Sequence, residues 1–312
     1  MPETRSGNAL APHDVRSGFA VADDGVELHW QLSGSGPLVI CCNGVGVGTF
    51  FWKYLAAHLR QRFTVLLWDY RGHGLSDRRL DPDAADLRIE RHADDLACIL
   101  DHLERTDPAL IIGHSMGCQV ILEFRRRHPA RVAGLIPMLG TAGNALRTFF
   151  DNKRSPLVIR TIHRVVRRAG PGANGLVRLG LRSPVAWRVA TGFDLVDRYY
   201  ANREDLQPYL DHLATMDQRL FLRAVLSIED HTAWDLLPVL DRPMLVVAAE
   251  RDRFTPMWCS TRMVEQTPGA ELLVLAEGSH GALIEQPETI NHRVDRFISE
   301  RMASWAVGDQ PS

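Results

Sequence analysis

The stretch Ala109-Leu110-Ile111-Ile112-Gly113-His114-Ser115-Met116-Gly117 is a short apolar run that stops at Gly-His-Ser-Met-Gly. A run of this length reads as a buried strand. The pentapeptide reads as a strand-to-helix turn, tight enough to force its central residue into a strained backbone conformation. Gly113 and Gly117 fit because a Cβ at either place would strike the neighbouring strand or helix. The turn lifts the Ser115 hydroxyl out of the core. An unactivated serine is a poor nucleophile, so the chain must also supply a base, an orienting acid and oxyanion donors.

Outward from this turn, similar apolar runs recur at Leu38–Cys42, Phe63–Trp68, Val132–Met138, Met244–Ala248 and Leu272–Leu275. Continuous apolar runs suit parallel strands buried on both faces. Phe19–Val21 and Val26–Leu32 alternate around Asp23-Asp24-Gly25, which predicts an opening hairpin. Between the strands, Phe51–Arg62, Arg88–Glu104, Met116–His128, Trp258–Gln266 and Pro287–Ala303 carry helical periodicity. Strands alternating with helices give an α/β class with a layered sheet. From about Thr141 to Trp234 the strand signal vanishes and helix formers, Gly-Pro breaks and arginines take over. The expected division is a core at 16–140 and 233–305, a helical insertion at 141–232, and flexible termini at 1–15 and 306–312.

Composition narrows the class. The 312 residues are 45% hydrophobic and 24% charged, which suits one large soluble core with an inserted subdomain. A formal net charge of -2 gives no global signal for nucleic acid. Cys41, Cys42, Cys98, Cys118 and Cys259 include no Cys-x-x-Cys pair, and an odd, unpatterned set reads as reduced thiols. The thirteen histidines show no metal-binding spacing, so neither a metal nor a cofactor is expected. The polar start, Met1 to Gly18, lacks the apolar stretch of a signal peptide, and no later run is long enough to span a bilayer. A cytoplasmic location is the expectation. Oligomeric state is not encoded legibly.

The partners of Ser115 should follow it in the order acid, then histidine. Asp252 lies in Glu250-Arg251-Asp252-Arg253-Phe254-Thr255-Pro256, just after a strand expected to lie beside that of Ser115. It would accept the imidazole N–H and fix the tautomer. Glu250 is the rival, aimed less freely because it sits nearer the strand. His280 lies in Glu277-Gly278-Ser279-His280-Gly281 after the last strand, a loop suited to a general base. His114 is expected to point away along the turn, and His73 and His92 to be loop and helix-surface residues. For the oxyanion hole, the Met116 N–H at a helix start is one donor. The Val45 N–H, in the glycine loop Asn43-Gly44-Val45-Gly46-Val47-Gly48, is the other. Asn43 reads first as a structural hydrogen-bonder and second as an added donor; Gly44 lends close backbone approach.

Together these features resemble the α/β-hydrolase superfamily from about Phe19 to Ala303. Gly113–Gly117 is similar to its nucleophile elbow, and Asp69-Tyr70-Arg71-Gly72-His73-Gly74-Leu75-Ser76 to the Asp-x-Arg-Gly-x-Gly-x-Ser loop after the fourth strand of many members. Asp252 and His280 match the acid and base. The resemblance implies an eight-stranded, mostly parallel sheet with a helical cap over Ser115, inserted after strand six. Many members carry His-Gly at the oxyanion loop where this chain has Asn43-Gly44. Asn43-Gly44-Val45-Gly46 is loosely similar to the Asn-Gly-Ile-Gly of intracellular polyhydroxyalkanoate depolymerases.

A serine nucleophile, rather than the aspartate of epoxide hydrolases and haloalkane dehalogenases, implies acyl chemistry on a small-molecule acyl substrate. Hydrolysis of an ester, lactone or thioester is the leading expectation. Same-triad C–C hydrolases, acyltransferases, perhydrolases and ligand-binding receptors are the alternatives. Leu157–Ala169 reads as an amphipathic helix with Arg160, Arg164, Arg167 and Arg168 on one face and Val158, Ile159, Ile162, Val165 and Val166 largely opposite or beside them. The plain reading is a solvated basic face. The functional one is a docking face for anionic head groups or an acidic acyl carrier. Aromatics of the insertion, among them Phe149, Phe150, Trp187, Phe193, Tyr199, Tyr200, Tyr209 and Phe221, are expected to form its small core or an acyl pocket.

Overall fold

The computed structural model describes residues 15–192, 195–197 and 203–307. Phe193, Tyr199 and Tyr200 lie outside the described residues, as do positions 1–14 and 308–312 of the expected tails. Eight strands form one sheet: β1 (Val15–Val21), β2 (Glu27–Ser33), β3 (Leu38–Cys42), β4 (Thr64–Trp68), β5 (Ala109–His114), β6 (Val132–Met138), β7 (Leu245–Ala249) and β8 (Glu271–Leu275). Their order is β1-β2-β4-β3-β5-β6-β7-β8. β1 pairs antiparallel with β2, and β2 with β4; every later pairing is parallel. The first strand starts at Val15, four residues before the expected Phe19, so Val15 belongs to the sheet and not to a tail.

Burial follows position in the sheet. All residues of the central β3 and β5 are buried, as parallel strands covered on both faces require. Side chains alternate between two cores. Ile40, Cys42, Leu66 and Ile111 face one cluster, and Val39, Cys41, Val65 and Leu110 the other. The first is covered by α2 (Ile89–His102) and α3 (Met116–Arg127), with α9 (Met257–Gln266) beyond β7. The second is covered by α1 (Lys53–Leu59) and α11 (Pro287–Arg301). The edge strand β8 departs from the expected two-sided burial: Leu272 and Val274 are exposed at the rim of the sheet.

Between β6 and β7 the chain is helical: α4 (Ser155–Ala169), α5 (Pro171–Leu181), α6 (Pro184–Gly192), α7 (Arg203–Thr215) and α8 (Gln218–Asp230). α4 packs on α8, and α5 on α7. The short α10 (Ala282–Glu285) follows the loop after β8, and α12 (Ala303–Val307) carries regular structure into the expected C-terminal tail. All five cysteines are free thiols, with only Cys98 partly exposed. Among the described residues, no helix is long and apolar enough to cross a membrane.

Candidate active site

Ser115 sits between the last residue of β5 and the first of α3, with φ 54° and ψ -115°. That is the left-handed half of backbone space, which a side-chain-bearing residue occupies only under constraint. The constraint comes from two glycines. A Cβ on Gly113 would lie 2.4 Å from the Gly117 carbonyl oxygen, and one on Gly117 would lie 2.2 Å from that of Cys42. Strand, turn and helix therefore close on each other too tightly for alanine at either place.

Asp252 and His280 converge on this serine from loops after β7 and β8. The Ser115 hydroxyl is 3.1 Å from His280 Nε2. His280 Nδ1 is 2.8 Å from Asp252 Oδ2. Asp252 is held in place from both oxygens. Its Oδ1 accepts the backbone N–H groups of Phe254 and Thr255 at 2.8 and 2.9 Å, and Oδ2 accepts the Thr255 hydroxyl at 2.8 Å. A carboxylate so placed sets Nδ1 of His280 as the protonated nitrogen and leaves Nε2 to accept. The strand carrying Asp252 is not beside that of Ser115: β6 lies between β5 and β7, and the loop after β7 spans the gap. Glu250 is exposed and its carboxylate accepts the Glu277 N–H, which keeps the rival acid out of the cluster.

Two further groups hold His280. His114 does not point away along the turn. Its ring centre lies 5.1 Å from that of His280, and Nε2 donates to the His280 carbonyl at 3.1 Å. Burial, with His280 nearby, pushes its pKa down to about 3, so it stays a neutral brace. Glu285 of α10 accepts the Ser279 N–H at 3.0 Å, the Ser279 hydroxyl at 2.5 Å and the Asp197 N–H at 2.6 Å. It thereby ties the histidine loop to the insertion. Sequence reasoning missed it, because a glutamate one turn into a short helix looks like any surface acid. His73 and His92 also differ from expectation. Both are buried, His92 on the inward side of α2 with its ring 4.5 Å from that of Tyr70.

The loop after β3 abuts the serine: a Cβ on Gly44 would lie 3.2 Å from the Cβ of Ser115. Val45 lines the same cavity as Ser115, and Met116 opens α3, where helix N–H groups have no intrahelical partner. The Asn43 side chain is occupied elsewhere. Its Nδ2 donates to the Trp68 carbonyl at 2.7 Å, and its Oδ1 accepts the Trp52 indole N–H at 2.6 Å. Asn43 braces the loop against β4.

Ser115 and His280 open into a cavity of about 280 Å³. Its walls come from the glycine loop, from Phe254, and from Phe149, Ile159, Tyr209, Phe221 and other residues of the insertion; among the described residues none of the lining is Asp, Glu, Lys or Arg. Trp187 packs instead against the core on the α1 side of the sheet.

Residues 39–293 match the alpha/beta hydrolase family. The chain belongs to that family and is a hydrolase. A protein of Caulobacter vibrioides named, provisionally, carbamate hydrolase RutD is 27% identical over 278 residues, 87% of this chain and 95% of that protein. A thermophilic esterase from Thermogutta terrifontis superposes with a TM-score of 0.71 at 24% identity, covering 91% of this chain and 98% of the esterase chain. The enol-lactonase from Burkholderia xenovorans LB400 gives 0.71 at 21% identity, with coverages of 91% and 100%. At these identities the solved structures speak to the fold alone.

Proposed function

We propose that this hydrolase cleaves a carboxylic ester, lactone or thioester through an acyl-enzyme on Ser115. The observation that carries the reading is the unbroken chain Ser115–His280–Asp252, with links of 3.1 and 2.8 Å. His280 takes the hydroxyl proton as Ser115 attacks the carbonyl carbon. The oxyanion forms against the Met116 and Val45 N–H groups. His280 then protonates the leaving oxygen or sulfur, the acyl group stays on Ser115, and a water deprotonated by His280 releases it as the acid. The insertion acts as a cap that shapes the acyl site. The described walls, apolar and without Asp, Glu, Lys or Arg, favour an uncharged, apolar acyl or alcohol part. They favour it over a small polar carbamate, the substrate class in the provisional name of the Caulobacter relatives.

The test is turnover of p-nitrophenyl butyrate and labelling by a fluorophosphonate probe, for the parent protein and Ser115→Ala. The parent should hydrolyse and label, and the variant should do neither. Hydrolysis that survives in Ser115→Ala would sink the assignment.

A further inference from the structure

The basic helix α4 leaves much of its apolar side uncovered. On α4, Val158, Ile162 and Val165 share one side of the helix and are exposed, while Ile159 turns inward to line the cavity. α5, packed against α4, exposes Leu176 and Leu179 at 74% and 72%. α6, packed against α5, adds Val185 and Val189. Isolated surface leucines are ordinary, but this many on three adjoining helices mark an interaction surface.

The charge on the same helices is of one sign. From Asn152 to Gly192 the sequence contains lysine and arginine but neither aspartate nor glutamate, in a chain whose formal net charge is -2. Arg160 reaches only Asp230, at 3.8 Å, and Arg164, Arg167 and Arg168 have no ion-pair partner among the described residues. On α4 the arginines border the exposed apolar side. A helix with an apolar face flanked by arginines is built to lie in the head-group layer of an anionic bilayer, apolar side down.

We infer that the outward face of α4, α5 and α6 docks on membranes rich in anionic lipid. A second copy of the chain is a poor occupant, because a symmetric pair would set arginine against arginine. An acidic carrier protein would answer the charge but leaves the apolar residues without a role. Docking sets α4 between the bilayer and the cavity, with Phe150, 42% exposed and lining that cavity, next to it in sequence. The proposal holds whatever bond Ser115 attacks.

The experiment is sedimentation of the full chain with vesicles of phosphatidylcholine alone, or of equal parts phosphatidylcholine and phosphatidylglycerol. The protein should pellet with the mixed vesicles, should not with the neutral ones, and should be released by rising sodium chloride. Arg164→Glu/Arg168→Glu should weaken binding at least about tenfold, since each basic residue near such a surface counts for several-fold. Val158→Ser/Val165→Ser should weaken it without removing its salt dependence. These four side chains lie outside the cavity walls, so circular-dichroism melts should match the parent and show that the variants fold. The proposal is overturned by equal binding to both vesicles, by binding to neither, or by variants that bind like the parent. A dimer in analytical ultracentrifugation that the same substitutions dissociate would overturn it as well.

Discussion

At the residue scale, Asp252 shows how surroundings decide which chemistry a carboxylate can support. Its Oδ1 faces two backbone N–H groups, so an asparagine there would have to put its carbonyl oxygen toward Phe254 and Thr255. Its amide NH₂ would then face His280 Nδ1, where Oδ2 now accepts. Two donors cannot share that contact. The imidazole would shift its proton to Nε2, the nitrogen 3.1 Å from the Ser115 hydroxyl, and could no longer accept from it. Asp252→Asn should therefore fold normally and lose turnover by a factor on the order of 10⁴, as a misplaced tautomer does in a Ser-His-Asp site. Steady-state kinetics on an activated ester measures this directly. A variant within about tenfold of the parent would show that Asp252 does not set the tautomer.

At the scale of elements, the loop from Asp69 to Ser76 joins β4 to the rest of the molecule. Asp69 accepts the Thr49 and Leu75 N–H groups, each at 3.0 Å, and a Cβ on Gly74 (φ 52°) would lie 2.1 Å from its carboxyl carbon. Arg71 grips Asp95 of α2 with two bonds of 2.7 Å while both side chains are almost fully buried. Burial raises the Asp95 pKa even beside this guanidinium, so removing Arg71 strands a costly group. Arg91, at 3.2 Å, remains as a partial partner, which puts the expected loss for Arg71→Met at the lower end, about 3 kcal/mol in urea unfolding. Arg71→Met/Asp95→Leu should recover much of it. The strands, the turn at Ser115 and the loops carrying Asp252 and His280 were legible because each is a local signal: an apolar run, a glycine pair, a polar loop at a strand end. Helical period gives α4 an apolar side but not which side is covered. That depends on where α8 packs, a contact between residues far apart in the chain. The inward side of His92, the direction of His114 and the grip of Glu285 on Ser279 are contacts of the same long-range or three-dimensional kind.

At the scale of the whole molecule, the buried histidines set a limit on the acid side. His73, His92 and His114 are at most 2% exposed and His212 is 9% exposed. Burial is the largest cause of a lowered pKa in each: His114 falls to about 3, His212 to about 4, and His73 and His92 also move down. His73 further lowers both His92 and His212, so protonating one opposes the next. In the unfolded chain the same groups titrate near about 6.5. The unfolded state therefore binds protons first. The stability these groups confer is complete above about pH 6.5 and drains away as pH falls toward the folded values, by up to about 1.4 kcal/mol per pH unit per histidine. Asp95 and Glu285, whose pKa values burial raises, work in the opposite sense: protonated earlier when folded, they soften the loss toward the acid end. Calorimetric melts should thus show a transition temperature that falls between about pH 7 and pH 5, before most surface carboxylates titrate. His92 offers the internal check, since neither of its ring nitrogens has a hydrogen-bond partner among the described residues. His92→Leu should leave stability at neutral pH unchanged or higher and flatten the acid slope by about one histidine's share. A transition temperature indifferent to pH over that interval, or a His92→Leu slope equal to the parent's, would show that these rings do not stay neutral in the fold.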